Sequence, residues 1–309
     1  MNLSDLGYNK PLYILAFDHR STFAKEFFKK RSLNELSYEE KESIKEFKML
    51  IYKGFKEAVH KGVPADYAAI LVDEEFGSEI LIDAKHNGFK TILTVEKSGQ
   101  EEFNFQYENF KEHIERFKPS FVKVLIKYNP EDDEELKKRQ QEKLKIISDY
   151  SHKNNYKFLL EVLVLPTQEQ LKQVSGDREE YDKKLRPNLT AEIINTFQTK
   201  NIEPDVWKLE GMESESDYLK VVAQIRSGGR KNVGIVILGR GANEEKVDKW
   251  LRIGAKVDGV IGFAVGRTIF WDVIEKFYQG ELSKNNTIQT VSKKFQSLYK
   301  VFTYSLKVN

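Results

Sequence analysis

Eight short apolar runs punctuate this chain, and most are followed by a charged stretch with helical spacing. The runs are Leu12–Phe17, Tyr67–Val72, Thr91–Val95, Phe121–Ile126, Phe158–Val164, Val206–Leu209, Val233–Leu238 and Gly259–Phe263. The stretches between them include Tyr38–Lys61, Phe105–Phe117, Asp132–Lys153 and Glu244–Ile253. Runs that do not alternate with polar residues read as strands covered on both faces. Eight such strands alternating with helices predict a closed (β/α)8 TIM barrel of the α/β class, since an open sheet would need polar edge strands.

The length of 309 residues suits one such barrel. A single domain over residues 1–309 is expected, with the barrel at about 11–278 and a C-terminal helical extension at about 281–309. Acidic and basic residues are interleaved and the formal net charge is only +2, so no basic face for nucleic acid is expected. The chain has no cysteine, which removes disulfides, thiolate metal sites and a cysteine nucleophile. No leader-like segment and no apolar stretch of membrane-spanning length are visible, so a cytoplasmic protein without membrane partners is expected.

Three charges interrupt the strands. Lys123 stands between Val122 and Val124, Glu161 between Leu160 and Val162, and Lys208 between Trp207 and Leu209. Alternation puts Lys123 on the face of Phe121 and Leu125, and Lys208 on the face of Val206. If those faces point inward, the charges converge inside the upper barrel, where active sites of this fold lie. Buried Lys and Glu need partners, and two lysines beside a carboxylate suit Schiff-base chemistry, which requires a neutral amine. An internal salt-bridge cluster is the structural alternative.

Two glycine-rich strand ends follow, Gly239-Arg240-Gly241-Ala242 and Gly262-Phe263-Ala264-Val265-Gly266-Arg267. The loops after the seventh and eighth strands of such barrels often hold phosphate. Gly239, Gly266, Arg240 and Arg267, with Arg20 at the first strand end, are therefore candidate substrate- or phosphate-binding residues. His19 is either catalytic or structural, while His60, His86, His113 and His152 read as surface residues without zinc-ligand spacing. Asp73-Glu74-Glu75 reads as a solvated turn in preference to a cation site. Asp132-Asp133-Glu134-Glu135 reads as a helix start, and Thr190 as the cap of a helix over 191–200. No metal or other cofactor is expected.

The segments Leu15–Arg20, Val122–Tyr128, Leu160–Val162, Asp205–Glu210 and Gly262–Arg267 resemble class I aldolases of the tagatose-1,6-bisphosphate aldolase type. The chain is more closely similar to the aldolase-like domain fused behind the sugar kinase of bacterial myo-inositol catabolism, a 2-deoxy-5-keto-gluconate-6-phosphate aldolase. The resemblance runs from about Pro11 to Tyr278 and implies a role for each matching residue. Lys208 corresponds to the Schiff-base lysine, Lys123 to the second lysine, Glu161 to the acid/base carboxylate, and Asp18 to the acid near the substrate hydroxyls. Arg267 corresponds to the phosphate-binding arginine, with backbone contacts from Gly239 and Gly266. His19 stands where the tagatose-type enzymes have glutamine, and the loop after the seventh strand differs, which bears on the substrate. The implied partner is a phosphorylated sugar, and the resemblance also admits a homo-oligomer and a functional link to a sugar kinase. The competing readings are a non-catalytic sugar-phosphate-binding barrel and a metal-dependent isomerase using Asp73 and Glu74.

Overall fold

The structure is a computed structural model that describes residues 2–306. Its strands are β1 (Leu12–Ala16), β2 (Ala68–Val72), β3 (Lys90–Thr94), β4 (Phe121–Lys127), β5 (Lys157–Leu163), β6 (Val206–Glu210), β7 (Gly234–Leu238) and β8 (Val260–Val265). They pair in parallel in chain order, and β8 returns to β1, closing the barrel. The helices are α1 (Ser21–Phe28), α2 (Tyr38–His60), α3 (Glu74–His86), α4 (Phe110–Phe117), α5 (Glu134–Lys153), α6 (Gln168–Gln173), α7 (Arg178–Lys184), α8 (Arg186–Thr199), α9 (Glu215–Ile225), α10 (Glu244–Gly254), α11 (Arg267–Tyr278) and α12 (Lys284–Leu306). All eight apolar runs are strands, and the α/β barrel expected from their rhythm is present. No helix among the described residues is long and apolar enough to cross a membrane.

Local chemistry sets the element boundaries. Ser37 caps α2 in a capping box, accepting from the Glu40 N–H while the Glu40 side chain accepts from the Ser37 N–H. Asp133 caps α5 by accepting from the Leu136 N–H, as the acidic run predicts. Thr190 is not a cap. The helix starts earlier, with Pro187 in its first turn, and the Thr190 hydroxyl donates back to the Arg186 carbonyl. The helix foreseen from Phe105 begins only at Phe110, because Phe105 forms an isolated antiparallel bridge with Glu96. The C-terminal helix α12 lies outside the barrel and packs against α2, α10 and α11.

Strand alternation divides the core into two shells. Leu12, Ile14, Ala16, Ala69, Leu71, Ile92, Phe121, Leu159, Val206, Val236 and Ala264 fill the barrel interior. Their neighbours in the strands, such as Leu15, Ile70, Leu93, Val122, Leu160 and Trp207, pack against the helices. Continuing the inward face along β1 reaches Asp18, and along β3 reaches Thr94 and Glu96. In the same way β4 places Lys123 inward, β5 Glu161, and β6 Lys208 and Glu210.

The opposite, N-terminal end is stoppered by residues before β1. Tyr8 stands edge-on to Phe121, with ring centroids 5.2 Å apart, and the Gly7 N–H donates to Asp205 at 2.9 Å. A cavity of about 670 Å³ opens at this end beside His152, Lys157 and Asp205, away from the charged strand ends.

Candidate active site

Glu161 and Lys208 are direct rung partners between β5 and β6. Strand spacing therefore brings their side chains together inside the barrel, and Lys208 Nζ lies 2.7 Å from Glu161 Oε2. The same oxygen is 3.1 Å from Lys123 Nζ. Lys123 is also 2.7 Å from Asp18 Oδ2 and 2.7 Å from Glu96 Oε1. Thr94 Oγ1, its rung neighbour on β3, is 3.5 Å away. Lys123 is 1% exposed and Lys208 5%. Lys208, Lys123, Glu161 and Asp18 thus form one cluster, and the structure adds Glu96 to it.

The carboxylates around Lys123 set the charge balance of the cluster. Burial alone would push the Lys123 ammonium toward neutrality, but Asp18, Glu96 and Glu161 reverse this and hold its pKa well above the ordinary lysine value. Lys123 is a fixed cation. Burial likewise pushes the Glu161 carboxyl up, and Lys208 and Lys123 outweigh it, leaving the carboxyl below the usual range. Asp18 behaves similarly, with Lys123 the main opposing charge. His19 sits against Phe270, with ring centroids 5.9 Å apart. Burial holds its imidazole neutral, with a pKa down to about 3 despite the neighbouring Asp18.

The guanidinium groups separate into two kinds. Arg20 is buried, donating to the Glu96 carbonyl at 2.7 Å and to Gln106 at 3.2 Å. Arg240, in a left-handed turn at φ 52°, folds onto Asp182 at 3.0 Å and Glu210 at 2.9 Å. Arg186 shares Asp182 at 2.9 Å, and burial raises the Glu210 carboxyl. Arg20 and Arg240 are therefore engaged by the protein itself. Arg267 instead opens α11, donates to the Arg240 carbonyl at 3.1 Å, and borders a cavity of about 450 Å³ with Gly241 and Thr268. Gly266 precedes it at a close crossing, where a Cβ would lie 2.1 Å from the Ala16 carbonyl oxygen. Gly239 ends β7, and a Cβ there would lie 3.2 Å from Val265 and 3.4 Å from Thr268.

Asp73 corrects the expectation of a solvated turn. It is fully buried, caps α3 by accepting from the Phe76 N–H, and pairs with the equally buried Lys48 of α2. Glu74 turns the other way, onto His113 at 2.6 Å and Arg116 at 3.4 Å. The two acids therefore have separate partners and do not form a cation site together. His113 and His152 are also more than solvated surface groups, since His152 lies 3.1 Å from the buried Asp205. Glu96 is detectable in the sequence by extending the inward alternation of Ile92 and Thr94 two residues further. Lys48 is detectable as a charge on the apolar stripe of Ile44, Ile51 and Phe55.

Eight buried side-chain polar atoms among the described residues lack an aligned hydrogen bond. Six of them cluster at this end of the barrel: His19 Nδ1, Arg20 Nε, Glu75 Oε2, Glu96 Oε2, Glu161 Oε2 and Glu210 Oε1. Glu161 Oε2 and Glu210 Oε1 do lie within ion-pair distance of a cation, but off the directions of a good hydrogen bond. Native interiors seldom leave such groups unpaired, so this concentration sets the strand ends apart from the rest of the core.

Fold and cluster together define a (β/α)8 barrel with two buried lysines inside it, among carboxylates from β5 and from just beyond β1 and β3. Residues 7–305 match the family described as "Uncharacterized protein conserved in bacteria (DUF2090)", and the chain belongs to that family. No curated protein matches it in sequence. Among solved structures it is similar to an archaeal fructose 1,6-bisphosphate aldolase at 14% identity, covering 97% of this chain and 99% of that one, with a TM-score of 0.57. It is also similar to a Schiff-base-forming fructose-1,6-bisphosphate aldolase at 13% identity, covering 97% of this chain and 100% of that one, with a TM-score of 0.55. The YdjI aldolase of Escherichia coli K12 is similar at 11% identity, covering 84% and 90%, with a TM-score of 0.53. At these identities the likeness establishes the barrel.

Proposed function

We propose that this protein is a class I aldolase acting on a phosphorylated keto sugar or keto sugar acid, with Lys208 as the Schiff-base nucleophile. The observation that carries the reading is the 2.7 Å approach of Lys208 Nζ to Glu161 Oε2 inside the barrel, beside Lys123. Lys208 passes a proton to Glu161, and the neutral amine adds to the substrate carbonyl carbon. Glu161 returns the proton to the carbinolamine hydroxyl, which departs as water and leaves an iminium. The iminium accepts the electron pair of the breaking carbon–carbon bond, and an aldehyde is released as a base takes the proton of its hydroxyl.

Lys123 serves as a constant positive charge for oxyanions formed on the way. Asp18, at the end of β1, is assigned to the substrate hydroxyls. Arg267 and the backbone of Gly266 and Gly239 are assigned to the phosphate. Arg20 and Arg240 would contribute by holding the surrounding loops, or by releasing a present partner for substrate. The structural neighbours include an enzyme described as Schiff-base-forming, which supports the reaction class. The resemblance in the sequence favours 2-deoxy-5-keto-gluconate 6-phosphate as substrate, giving dihydroxyacetone phosphate and malonate semialdehyde. It also favours a functional link to a sugar kinase.

The test is borohydride reduction in the presence of dihydroxyacetone phosphate, followed by mass spectrometry of the modified peptide. An adduct on Lys208 is expected. An adduct on Lys123 would reverse the two lysines, and no adduct on either would leave a sugar-phosphate-binding barrel without this chemistry.

A further inference from the structure

We infer that Glu96 is a positioning residue of this site, balancing Lys123 so that Glu161 is free to carry the proton that Lys208 must release. The inference rests on the Schiff-base reading and deepens it. Glu96 continues the inward face of β3 and is 5% exposed, with Oε1 2.7 Å from Lys123 Nζ. Its backbone is fixed from two sides. The carbonyl accepts from Arg20 Nη2 at 2.7 Å, and the residue bridges to Phe105. The carboxylate therefore stands on a rigid base.

Glu161 Oε2 is the carboxylate oxygen nearest Lys208, and it also faces Lys123 at 3.1 Å. A protonated Glu161 no longer neutralises Lys123, and an uncompensated buried ammonium is costly. Asp18 and Glu96, each 2.7 Å from Lys123, remain to balance it. Asp18 is assigned to substrate hydroxyls in the proposed reaction, which leaves Glu96 as the anion dedicated to Lys123. The other groups facing this assembly include the neutral His19 after β1, the Arg20 guanidinium on the Glu96 carbonyl, Thr94 on β3, Lys208 on β6, and the buried Lys48 of α2, whose charge acts on Asp18. In the transfer itself one N–H bond of Lys208 breaks and one O–H bond of Glu161 forms, with no change in total charge.

Glu96→Gln removes one negative charge and nearly preserves shape. Its loss makes the Lys208–Glu161 pair bind protons less tightly, so both limbs of a bell-shaped profile should move to lower pH. The experiment measures the rate of borohydride trapping at Lys208 against pH, with dihydroxyacetone phosphate as probe. For Glu96→Gln we expect both limbs to move down by about half a pH unit or more and the maximal rate to fall about tenfold, with half-saturation changed less than about threefold. Glu96→Asp should lie between wild type and Glu96→Gln, and it carries the test against wild type if the glutamine variant fails to fold. Unmoved limbs in both folded variants, with or without a slower rate, would overturn the inference while leaving the Schiff base intact. A wild-type protein untrapped at every pH would overturn the Schiff-base reading, and this inference with it.

Discussion

Each end of the barrel buries charge, but the two ends use it differently. At the N-terminal end, four donors converge on the fully buried Asp205: the Gly7 and Phe158 N–H groups at 2.9 and 2.8 Å, Lys157 at 2.8 Å and His152 at 3.1 Å. Burial alone would raise that carboxyl, yet the bonds from His152 and Lys157 hold it below the usual range. It ties the N-terminal segment to β5 and β6, and nothing about it is left unsatisfied. At the C-terminal end, three carboxylates crowd two lysines, and Glu96 and Glu161 each keep an oxygen without an aligned hydrogen bond. A buried charge with all its partners fixes structure. Glu96 and Glu161, each with an oxygen left unpaired, lack that closure.

That contrast breaks if the two ends respond alike to mutation. The largest effect is expected for Lys208→Met, which keeps an apolar stem. Borohydride trapping should fall by at least about a thousandfold in protein that remains folded; trapping that persists would move the nucleophile elsewhere. Asp205→Ala should do the reverse, lowering stability by about 3–5 kcal/mol in denaturant unfolding because it strands several buried donors. Its folded fraction should still trap at the wild-type rate, and a slower rate would mean that the ends are coupled.

The pH dependence sharpens the same point. The Asp205 carboxyl is depressed in the folded state, so its stabilisation is fully present above the ordinary aspartate pKa of about 4 and is lost as pH falls through the lower folded value. Wild type should lose more stability than Asp205→Asn on acidification below about pH 4, read as unfolding midpoints across a pH series. Parallel pH curves for the two proteins would mean that Asp205 contributes nothing to the acid sensitivity. The smallest effect is a control remote from both charge clusters. Ser37→Ala removes the α2 capping box and should cost about 1 kcal/mol, with trapping unchanged.

Much of this division is legible in the sequence. Lys123, Glu161 and Lys208 stand out because a charge inside an apolar strand is costly without a partner, and parity groups each with the residues of one face, which the structure turns inward. Glu96 and Asp73 are harder to find because they stand just beyond their strands, where polar residues are ordinary and sequence gives no sign of burial. Arg240 can be located but not oriented. Its pairing with Asp182 depends on α7, an excursion of the loop after β5 whose path no periodicity records. Asp205 belongs to a recognisable segment, but its four donors come from residues 7, 152, 157 and 158. A hub of that kind becomes visible only once the chain has closed on itself.

The rung shared by Glu161 and Lys208 has a consequence for how such a protein can diversify. Adjacent strands lie about 4.8 Å apart by backbone hydrogen bonding, so the separation of these two side chains is written into the sheet and owes nothing to the loops. An insertion in the segment after β5, or a rebuilt turn after β7, would reshape what the mouth admits without altering the spacing of the proposed proton donor and acceptor. Descendants of one such barrel could therefore trade substrates through their loops while inheriting the same reaction.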